Sequence, residues 1–311
     1  MKKIVAVCLS PTLQETITFD RFDKDRVNRS TGYRLDASGK AVNAARVLNQ
    51  LESGSVTVVA PLGTENSQLF FDLAAQDSLR VVSVPVPGRI RYCYTLVESG
   101  KGSGEKSHGS KSVTELVVSE GATAADYSSL ADALCSRIAE ELSGADALLL
   151  AGSCPPFWPD NLLSRICGIA HEKCCPVMVD FQGKDLELAI SESCPEIIKI
   201  NEEEFTATFS LPFPLSDEEL ERELGLRSIT LNNIIIVTRG KNDTLAASSG
   251  VLSRESVEAV NALNTIGCGD AFSAGFLMSW LNEQNIQNAL TKGKWCATRN
   301  TFSLRPGSII D

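Results

Sequence analysis

The segment at residues 264–272 reads Asn-Thr-Ile-Gly-Cys-Gly-Asp-Ala-Phe and joins a polar turn to a helix predicted at residues 271–281. Gly267 and Gly269 allow positive φ angles and a close approach of the backbone to a ligand. The free amides of the first helical turn, together with the positive end of the helix dipole, suit an anion and above all a phosphate. Asp270 at the helix start is either an N-cap or a carboxylate poised beside that phosphate as a general base, and these nine residues leave both interpretations open.

Predicted strands and helices alternate over most of the chain around this segment. Apolar runs predict buried strands, and the runs are separated by segments with the apolar spacing of amphipathic helices. The predicted buried strands include residues 3–9, 56–62, 147–151, 176–181, 197–200 and 234–238. The alternation predicts an α/β fold whose mostly parallel central sheet is covered by helices on both faces. Ligands of such folds gather at the carboxyl ends of the strands.

Some parts of the chain do not follow this alternation. Short strands that break it are predicted at residues 15–19, 32–37, 89–98 and 113–118. They predict a small second sheet, which we call the lid, inserted at about residues 12–37 and 88–118 of a single domain that spans residues 1–311. The glycine- and serine-rich run at residues 100–112 predicts a loop within the lid.

Two further local predictions concern the second half of the chain. Residues 244–249 and 251–257 predict an antiparallel pair of strands at the edge of the main sheet. A helix is predicted to start at Thr123, because Thr123 and Asp126 resemble a capping box.

The composition excludes several classes of function. Hydrophobic residues make up 43% of the chain and charged residues 22%, as in a soluble globular protein. The net charge of −10 disfavours nucleic acids and anionic membranes as partners, and no apolar run approaches the roughly 18 residues of a membrane span. Ten scattered cysteines without a Cys-x-x-Cys pair predict reduced thiols in a cytoplasmic protein rather than a zinc site. With two histidines in the chain, acid–base chemistry is expected from carboxylates or lysines.

A second candidate site opens the helix predicted after residue 37. Gly39 permits close approach, Lys40 supplies charge, and Asn43 can both donate to and accept from hydroxyl groups, which suits a sugar phosphate. The alternative interpretation is that Ser38 caps the helix and Lys40 is merely exposed.

Three other segments carry weaker signals. Arg89 and Arg91 are predicted on one strand face, where they would either grip a phosphate or be solvated. Asn201 and Glu204 follow a buried strand and face the same way, so they suit Mg²⁺ held through water, although acidic residues also favour a first helical turn. Residues 238–241 read Thr-Arg-Gly-Lys after another strand and suit a polyphosphate, or form an ordinary turn.

In this order, the segments resemble the ribokinase-like, phosphofructokinase B family of sugar kinases, in the branch that contains 1-phosphofructokinase and tagatose-6-phosphate kinase. The resemblance covers nearly the whole chain and is most specific at residues 264–270 and at Asn201-x-x-Glu204. It implies a three-layer α/β/α sandwich with a β-sheet lid over the sugar, and such lids often form the contact of a homodimer. The chain departs from the family pattern at Gln14, Ala41, Asp243 and Cys268.

The resemblance also implies roles for individual residues. Asp270 matches the base that takes the proton of the attacking sugar hydroxyl. The amides that match the anion hole for the transferred phosphoryl group belong to Gly267, Cys268 and Gly269. The positions that match substrate-binding residues are Gln14, Gly39, Lys40, Asn43 and Arg91. The nucleotide-side positions are Lys199, Asn201, Thr238 and Gly240. Asn201 and Glu204 match the motif that organises Mg²⁺ through water.

These observations predict an ATP- and Mg²⁺-dependent kinase that phosphorylates a hydroxyl of a sugar phosphate. Phosphoryl transfer requires alignment and charge neutralisation more than covalent chemistry, and a carboxylate base suits a chain that is poor in histidine. Two alternatives stay open: a kinase for a nucleoside or an unphosphorylated sugar, and a catalytically idle sensor that binds a sugar phosphate.

Overall fold

The computed structural model describes residues 1–99, 112–119 and 123–310. Residues 100–111, which make up almost all of the predicted glycine- and serine-rich loop, lie outside this described part. The strands of the described part are β1 (Ile4–Val7), β2 (Thr12–Phe19), β3 (Gly32–Ser38), β4 (Val56–Gly63), β5 (Arg80–Val86), β6 (Arg91–Glu98), β7 (Ser112–Val117), β8 (Ala147–Ala151), β9 (Val177–Asp180), β10 (Ile197–Asn201), β11 (Ile234–Arg239), β12 (Asn242–Ser248) and β13 (Val251–Glu255). Its helices are α1 (Lys40–Leu51), α2 (Ser67–Gln76), α3 (Tyr127–Glu141), α4 (Leu162–Glu172), α5 (Lys184–Ser193), α6 (Glu202–Thr208), α7 (Asp217–Leu231), α8 (Cys268–Glu283) and α9 (Ile286–Asn300).

Within the described residues, the main sheet has nine strands in the order β13-β12-β11-β10-β9-β8-β1-β4-β5. The strands from β11 to β5 in this order are parallel. All of them except the edge strand β5 are almost wholly buried, because helices cover both faces. At one edge, β12 and β13 are antiparallel. The predicted parallel sheet and its antiparallel edge pair are therefore confirmed.

Two clusters of buried apolar side chains lie on the two faces of this sheet. Ile4 and Ala6 of β1 belong to one cluster and Val5 and Val7 to the other, because successive side chains of a strand point to opposite faces. Helices α1, α2, α8 and α9 contribute to the first cluster, and α3 to α7 contribute to the second. The arrangement is the expected three-layer α/β/α sandwich.

The lid is a separate sheet with the order β3-β2-β6-β7. Its central strands β2 and β6 come from the two predicted lid segments and pair in parallel, so that Gln14 lies opposite Cys93. The outer strands β3 and β7 are antiparallel to them. A second, smaller sheet is thus confirmed.

The starts of two helices differ from the sequence predictions by several residues. Helix α3 begins at Tyr127 and not at Thr123, because Asp126 is the N-cap, and its carboxylate accepts from the backbone amides of the first turn. Helix α8 begins at Cys268 with Gly267 as its N-cap residue. Asp270 therefore lies inside the first turn, and the interpretation of Asp270 as an N-cap is wrong.

Two further properties follow from the described residues. Among their helices, none has the length and apolar character needed to cross a bilayer. All ten cysteines are free thiols, and most are buried.

Candidate active site

A cavity of about 450 Å³ lies between the lid and the carboxyl ends of the main-sheet strands. It brings together predicted residues from distant parts of the chain: Gln14, Gly39, Lys40, Asn43, Arg91, Gly267 and Asp270. These residues converge because β2, β6, α1 and α8 all present an end to the same edge of the sheet, as expected for a parallel α/β fold.

Asp270 lies at the boundary between this cavity and the glycine turn before α8. Its side chain is buried, with 8% exposure, and its Oδ2 atom accepts a hydrogen bond of 2.8 Å from Nδ2 of Asn43. Burial, helped by the negative charge of Asp180, raises the pKa of Asp270 to about 6, although Lys40 and Asn43 oppose the rise. The carboxylate is therefore ionised at neutral pH and basic enough to accept a proton.

The glycine turn lies against two other parts of the protein. Gly267 has a φ of 82°, and a Cβ atom built on it would lie 2.4 Å from the backbone nitrogen of Gly307, so a side chain does not fit. A Cβ atom on Gly269 would lie 3.0 Å from Nζ of Lys199. The turn thus places the backbone amides of a helix start beside an ammonium group, which suits a phosphoryl group, although the amide of Cys268 also donates to the carbonyl of Thr265 at 3.3 Å.

Cys268 contributes to this turn through its backbone. Its thiol lies 3.3 Å from Nδ2 of Asn300, which donates to the sulfur. Burial raises the pKa of Cys268 to about 11, so the thiol is neutral at physiological pH. The sulfur therefore brings no negative charge to the glycine turn.

Asp180, at the end of β9, is the centre of a buried ionic cluster that the sequence analysis missed. Its carboxylate is bonded to Nζ of Lys40 at 2.9 Å and to Nζ of Lys199 at 2.7 Å, and it accepts from the Ser273 hydroxyl at 3.1 Å. Burial alone would raise the pKa of Asp180, but the two ammonium groups outweigh it and lower this pKa far below its usual range. Asp180 could have been identified from the sequence, because it is an acidic residue at the carboxyl end of an apolar strand.

The start of α1 differs from the simple capping interpretation. Gly39 is the N-cap residue of α1, while the Ser38 hydroxyl donates to Oδ1 of Asn43 at 2.9 Å. Gly39 has a φ of 121°, and a Cβ atom there would lie 2.6 Å from the sulfur of Cys8. The Asp180 carboxylate holds Lys40 toward the cavity and raises its pKa. The alternative of a Ser38 cap is therefore wrong, and Lys40, although its side chain is partly exposed, is paired with Asp180.

The lid contributes Gln14 and Arg91 to the cavity. Gln14 is buried, and its Nε2 atom donates to Thr95 at 2.9 Å. The guanidinium of Arg91 donates to Oγ of Ser10 at 2.6 Å, which holds it at the cavity wall. Arg89 precedes β6 and is absent from the lining of this cavity, although both arginines line a neighbouring cavity.

The predicted nucleotide-side residues lie at the ends of the next two strands. Asn201 of β10 is directly opposite Thr238 of β11, and Gly240 follows in a turn with a φ of 61°. Asn201 and Glu204 form a capping box, in which the Asn201 side chain accepts from the Glu204 amide and Oε2 of Glu204 accepts from the Asn201 amide, each at 2.8 Å. Arg239 pairs with acidic side chains of α6 and α7, so its charge is engaged within the fold.

Other polar side chains of the cavity were not singled out from the sequence. They are Ser10, Ser153, Gln182, Asp185 and Glu115. Most of them follow the carboxyl ends of strands, which was the available signal.

The geometry agrees with comparisons to known proteins. The family model of pfkB family carbohydrate kinases matches residues 6–303. This chain belongs to the pfkB family of carbohydrate kinases. A curated relative, 1-phosphofructokinase of Rhodobacter capsulatus, is 30% identical over 283 residues, which cover 88% of this chain and 83% of the relative. The chain is therefore a phosphotransferase, and membership implies ATP as the phosphate donor.

Solved structures confirm the fold of this carbohydrate kinase. A variant of phosphofructokinase-2 from Escherichia coli has a TM-score of 0.86 at 20% identity and covers 99% of this chain and 96% of its own. A possible 1-phosphofructokinase from Thermotoga maritima has a TM-score of 0.80 at 20% identity, with 96% and 92% covered. Both likenesses concern the ribokinase-like fold, which the sequence predicted.

Proposed function

We propose that this pfkB-family kinase transfers a phosphoryl group from ATP to a hydroxyl of a sugar phosphate, with Asp270 as the general base. The observation that carries the proposal is the position of Asp270. This carboxylate has a raised pKa and lines a polar cavity together with Gly267, at the start of the helix that follows the glycine turn. The 1-phosphofructokinase of Rhodobacter capsulatus supports the same reaction class.

In the proposed mechanism, the acceptor hydroxyl lies in the cavity and gives its proton to Asp270. The amides of residues 267–269 receive the transferred phosphoryl group, and Lys199 adds positive charge beside Gly269. Lys40, held by Asp180, faces the same region from α1. Because the groups are held before substrate binds, little reorganisation is needed during transfer.

Asn201 and Glu204 form the side of the site that we assign to Mg²⁺ and the ATP phosphates. The capping box engages Oε2 of Glu204, and the Glu204 side chain is close enough to contribute to the raised pKa of Lys40. This donor set fits a magnesium ion bound through water, since Mg²⁺ keeps several waters in nucleotide sites. The metal would neutralise charge on the phosphates. In the described part of the chain, no group of three or more His, Cys, Asp or Glu side chains is placed to hold a metal directly.

Arg91 is the residue that we assign to the existing phosphate of the acceptor. Its guanidinium lies at the cavity wall on β6, donates to Ser10 and suits a phosphate. A second candidate acceptor is an unphosphorylated polyol, because the carboxylates of Glu115 and Asp185 also line the cavity and would accept from hydroxyl groups.

The lid is proposed to close the cavity and to pair with a second copy of the chain. Its outer strands carry exposed apolar side chains, among them Tyr33 and Leu116, at 61% and 48% exposure. Such surfaces often mark protein contacts. Light scattering is expected to find a dimer for the parent chain and a monomer for Leu116→Glu, and a monomeric parent chain would contradict this assignment.

The free thiols support a cytoplasmic location.

The decisive experiment is an ADP-release screen over matched phosphorylated and free sugars. We expect turnover with a sugar phosphate, and Arg91→Ala should raise KM for that acceptor while leaving KM for ATP unchanged. Faster turnover of a free sugar, with Arg91→Ala indistinguishable from the parent chain, would favour the polyol instead. Binding of sugar phosphates without ADP release would indicate the sensor and contradict the proposal.

A further inference from the structure

Arg46 of α1 is among the most completely buried large side chains of the protein, at 1% exposure. Its Nε atom donates to Oδ2 of Asp77 at 2.7 Å, and Nη1 donates to the carbonyl of Pro306 at 2.6 Å. Nη2 donates to the carbonyl of Ala37. Burying a guanidinium costs several kcal/mol before its partners offset it, and an apolar side chain of similar size often stabilises a fold equally well. Stability alone is therefore a weak reason for an arginine at this position.

The contact that distinguishes Arg46 is with the active-site asparagine. Nη1 of Arg46 lies 3.2 Å from Oδ1 of Asn43, and Oγ of Ser38 donates to the same oxygen at 2.9 Å. A guanidinium has donors and no acceptor, so the atom of Asn43 that faces it must be the oxygen. The amide nitrogen of Asn43 is consequently directed toward Oδ2 of Asp270, 2.8 Å away. If the side-chain amide of Asn43 were reversed, its oxygen would face Oδ2 of Asp270, and two hydrogen-bond acceptors would lie against each other.

The same guanidinium also supports the segment behind the anion hole. It binds the carbonyl of Pro306, and the next residue, Gly307, packs against Asn43 and Gly267. A Cβ atom on Gly307 would lie 2.5 Å from Cβ of Asn43, so the segment is closely fitted. Arg46 thus links the helix that carries Asn43 to the turn that carries the phosphoryl-binding amides.

We propose that Arg46 is a positioning residue, which fixes the side-chain amide of Asn43 so that its NH₂ group faces the base Asp270. The proposal rests on the proposed role of Asp270. Donation to one carboxylate oxygen stabilises the ionised base and leaves the other oxygen for the acceptor hydroxyl.

Other charged groups also act on the same base, and the Arg46 variants leave these residues unchanged. Asp180 of β9 raises the pKa of Asp270, whereas Lys40 of α1 and Lys199 of β10 lower it. The thiol of Cys268, on the same helix, is neutral at physiological pH because burial raises its pKa to about 11. A shift in the titration of Asp270 after substitution of Arg46 therefore reports the orientation of Asn43.

The test is the acidic limb of kcat/KM against pH for Arg46→Met, Asn43→Ala and the double variant. Loss of one hydrogen bond to a carboxylate is expected to move this limb upward by about one pH unit. Both single variants should show this shift, and Arg46→Met should add nothing once Asn43 is alanine. The proposal would be overturned if Arg46→Met left the acidic limb where it is in the parent chain, or if the shifts of the two single variants added fully in the double variant.

Arg305→Met is the matched control. Arg305 pairs with the same Asp77 and with Asp36, but its described contacts do not include Asn43. Its loss should lower the melting temperature without moving the limb, and an equal shift would indicate a general structural effect.

If Arg46→Met does not fold, Arg46→Lys keeps the buried charge but cannot donate to all four acceptors of Arg46. The same shift of the acidic limb is then expected, and its absence would equally overturn the proposal. Full activity of Asp270→Asn would instead refute the proposed base itself.

Discussion

Replacing Asp270 by Asn removes the charge of the proposed base and keeps its shape. The carboxylate is buried and lies near the negative charge of Asp180, so its ionisation is unfavourable in the folded protein. The carbonyl oxygen of an asparagine can still accept the hydrogen bond that Asn43 donates at 2.8 Å. We therefore expect Asp270→Asn to be inactive and yet more stable than the parent chain at neutral pH.

The magnitude follows from the raised pKa of Asp270, which is about 6 in the folded protein against an ordinary value of 3.8. Because the folded pKa is raised, the protonated group favours folding below the unfolded pKa, and that stability is lost as the pH rises toward 6. A difference of about 2 pKa units corresponds to roughly 3 kcal/mol. Asp270→Asn should exceed the parent chain by about 3 kcal/mol at pH 7 and by less than about 1 kcal/mol at pH 4.

The assay is urea unfolding of both proteins from pH 4 to pH 8, with turnover and ATP binding measured at pH 7.5. Turnover should fall by about 10³-fold, as expected for loss of a general base, while ATP binding is retained. Asp72→Asn, at an exposed position on α2, is the matched control and should change neither property. A stability difference that is independent of pH would refute the reasoning about burial, and retained turnover would refute the role of the base.

Three further predictions concern other parts of the site. Arg91→Ala should raise KM for the sugar phosphate by about 10- to 100-fold, which initial-rate kinetics will measure, since a charged hydrogen bond contributes about 1.5–3 kcal/mol. Gly267→Ala should lower both kcat and the melting temperature, whereas Gly144→Ala, at a similar φ of 80° with nothing within 4 Å of the added Cβ, should cause only a small loss of stability. Asp180→Asn removes a charge that raises the pKa of Asp270, so the acidic limb of kcat/KM against pH should move downward; an upward shift would contradict this assignment.

Much of the fold was predictable from local patterns. Apolar runs such as the one in β11 predicted the parallel strands, because a strand covered on both faces must be apolar along its whole length. The lid was predictable because its strands interrupt the α/β alternation. Helix starts were less predictable: α3 begins after Asp126, since a capping side chain depends on the local turn that the backbone adopts.

The sequence by itself also determined the family, because the motif around Asp270 and the segments that accompany it are local and appear in a specific order. It predicted Asp270 as the base, and that role stays a proposal. It left the roles of Lys199, Thr238 and Gly240 as predictions, and they stay so. That residues 1–311 form a single domain also stays a prediction.

Only the tertiary structure revealed what acts on the base. Asn43 and Asp270 are 227 positions apart, Lys40 and Asp180 are 140 apart, and Arg46 and Pro306 are 260 apart. No local pattern links such pairs, because their contacts arise when strand ends and helix starts meet at one edge of the sheet. The raised pKa of Asp270 depends on burial and on the charges assembled there, so it is a property of the folded chain and not of the motif that contains the residue.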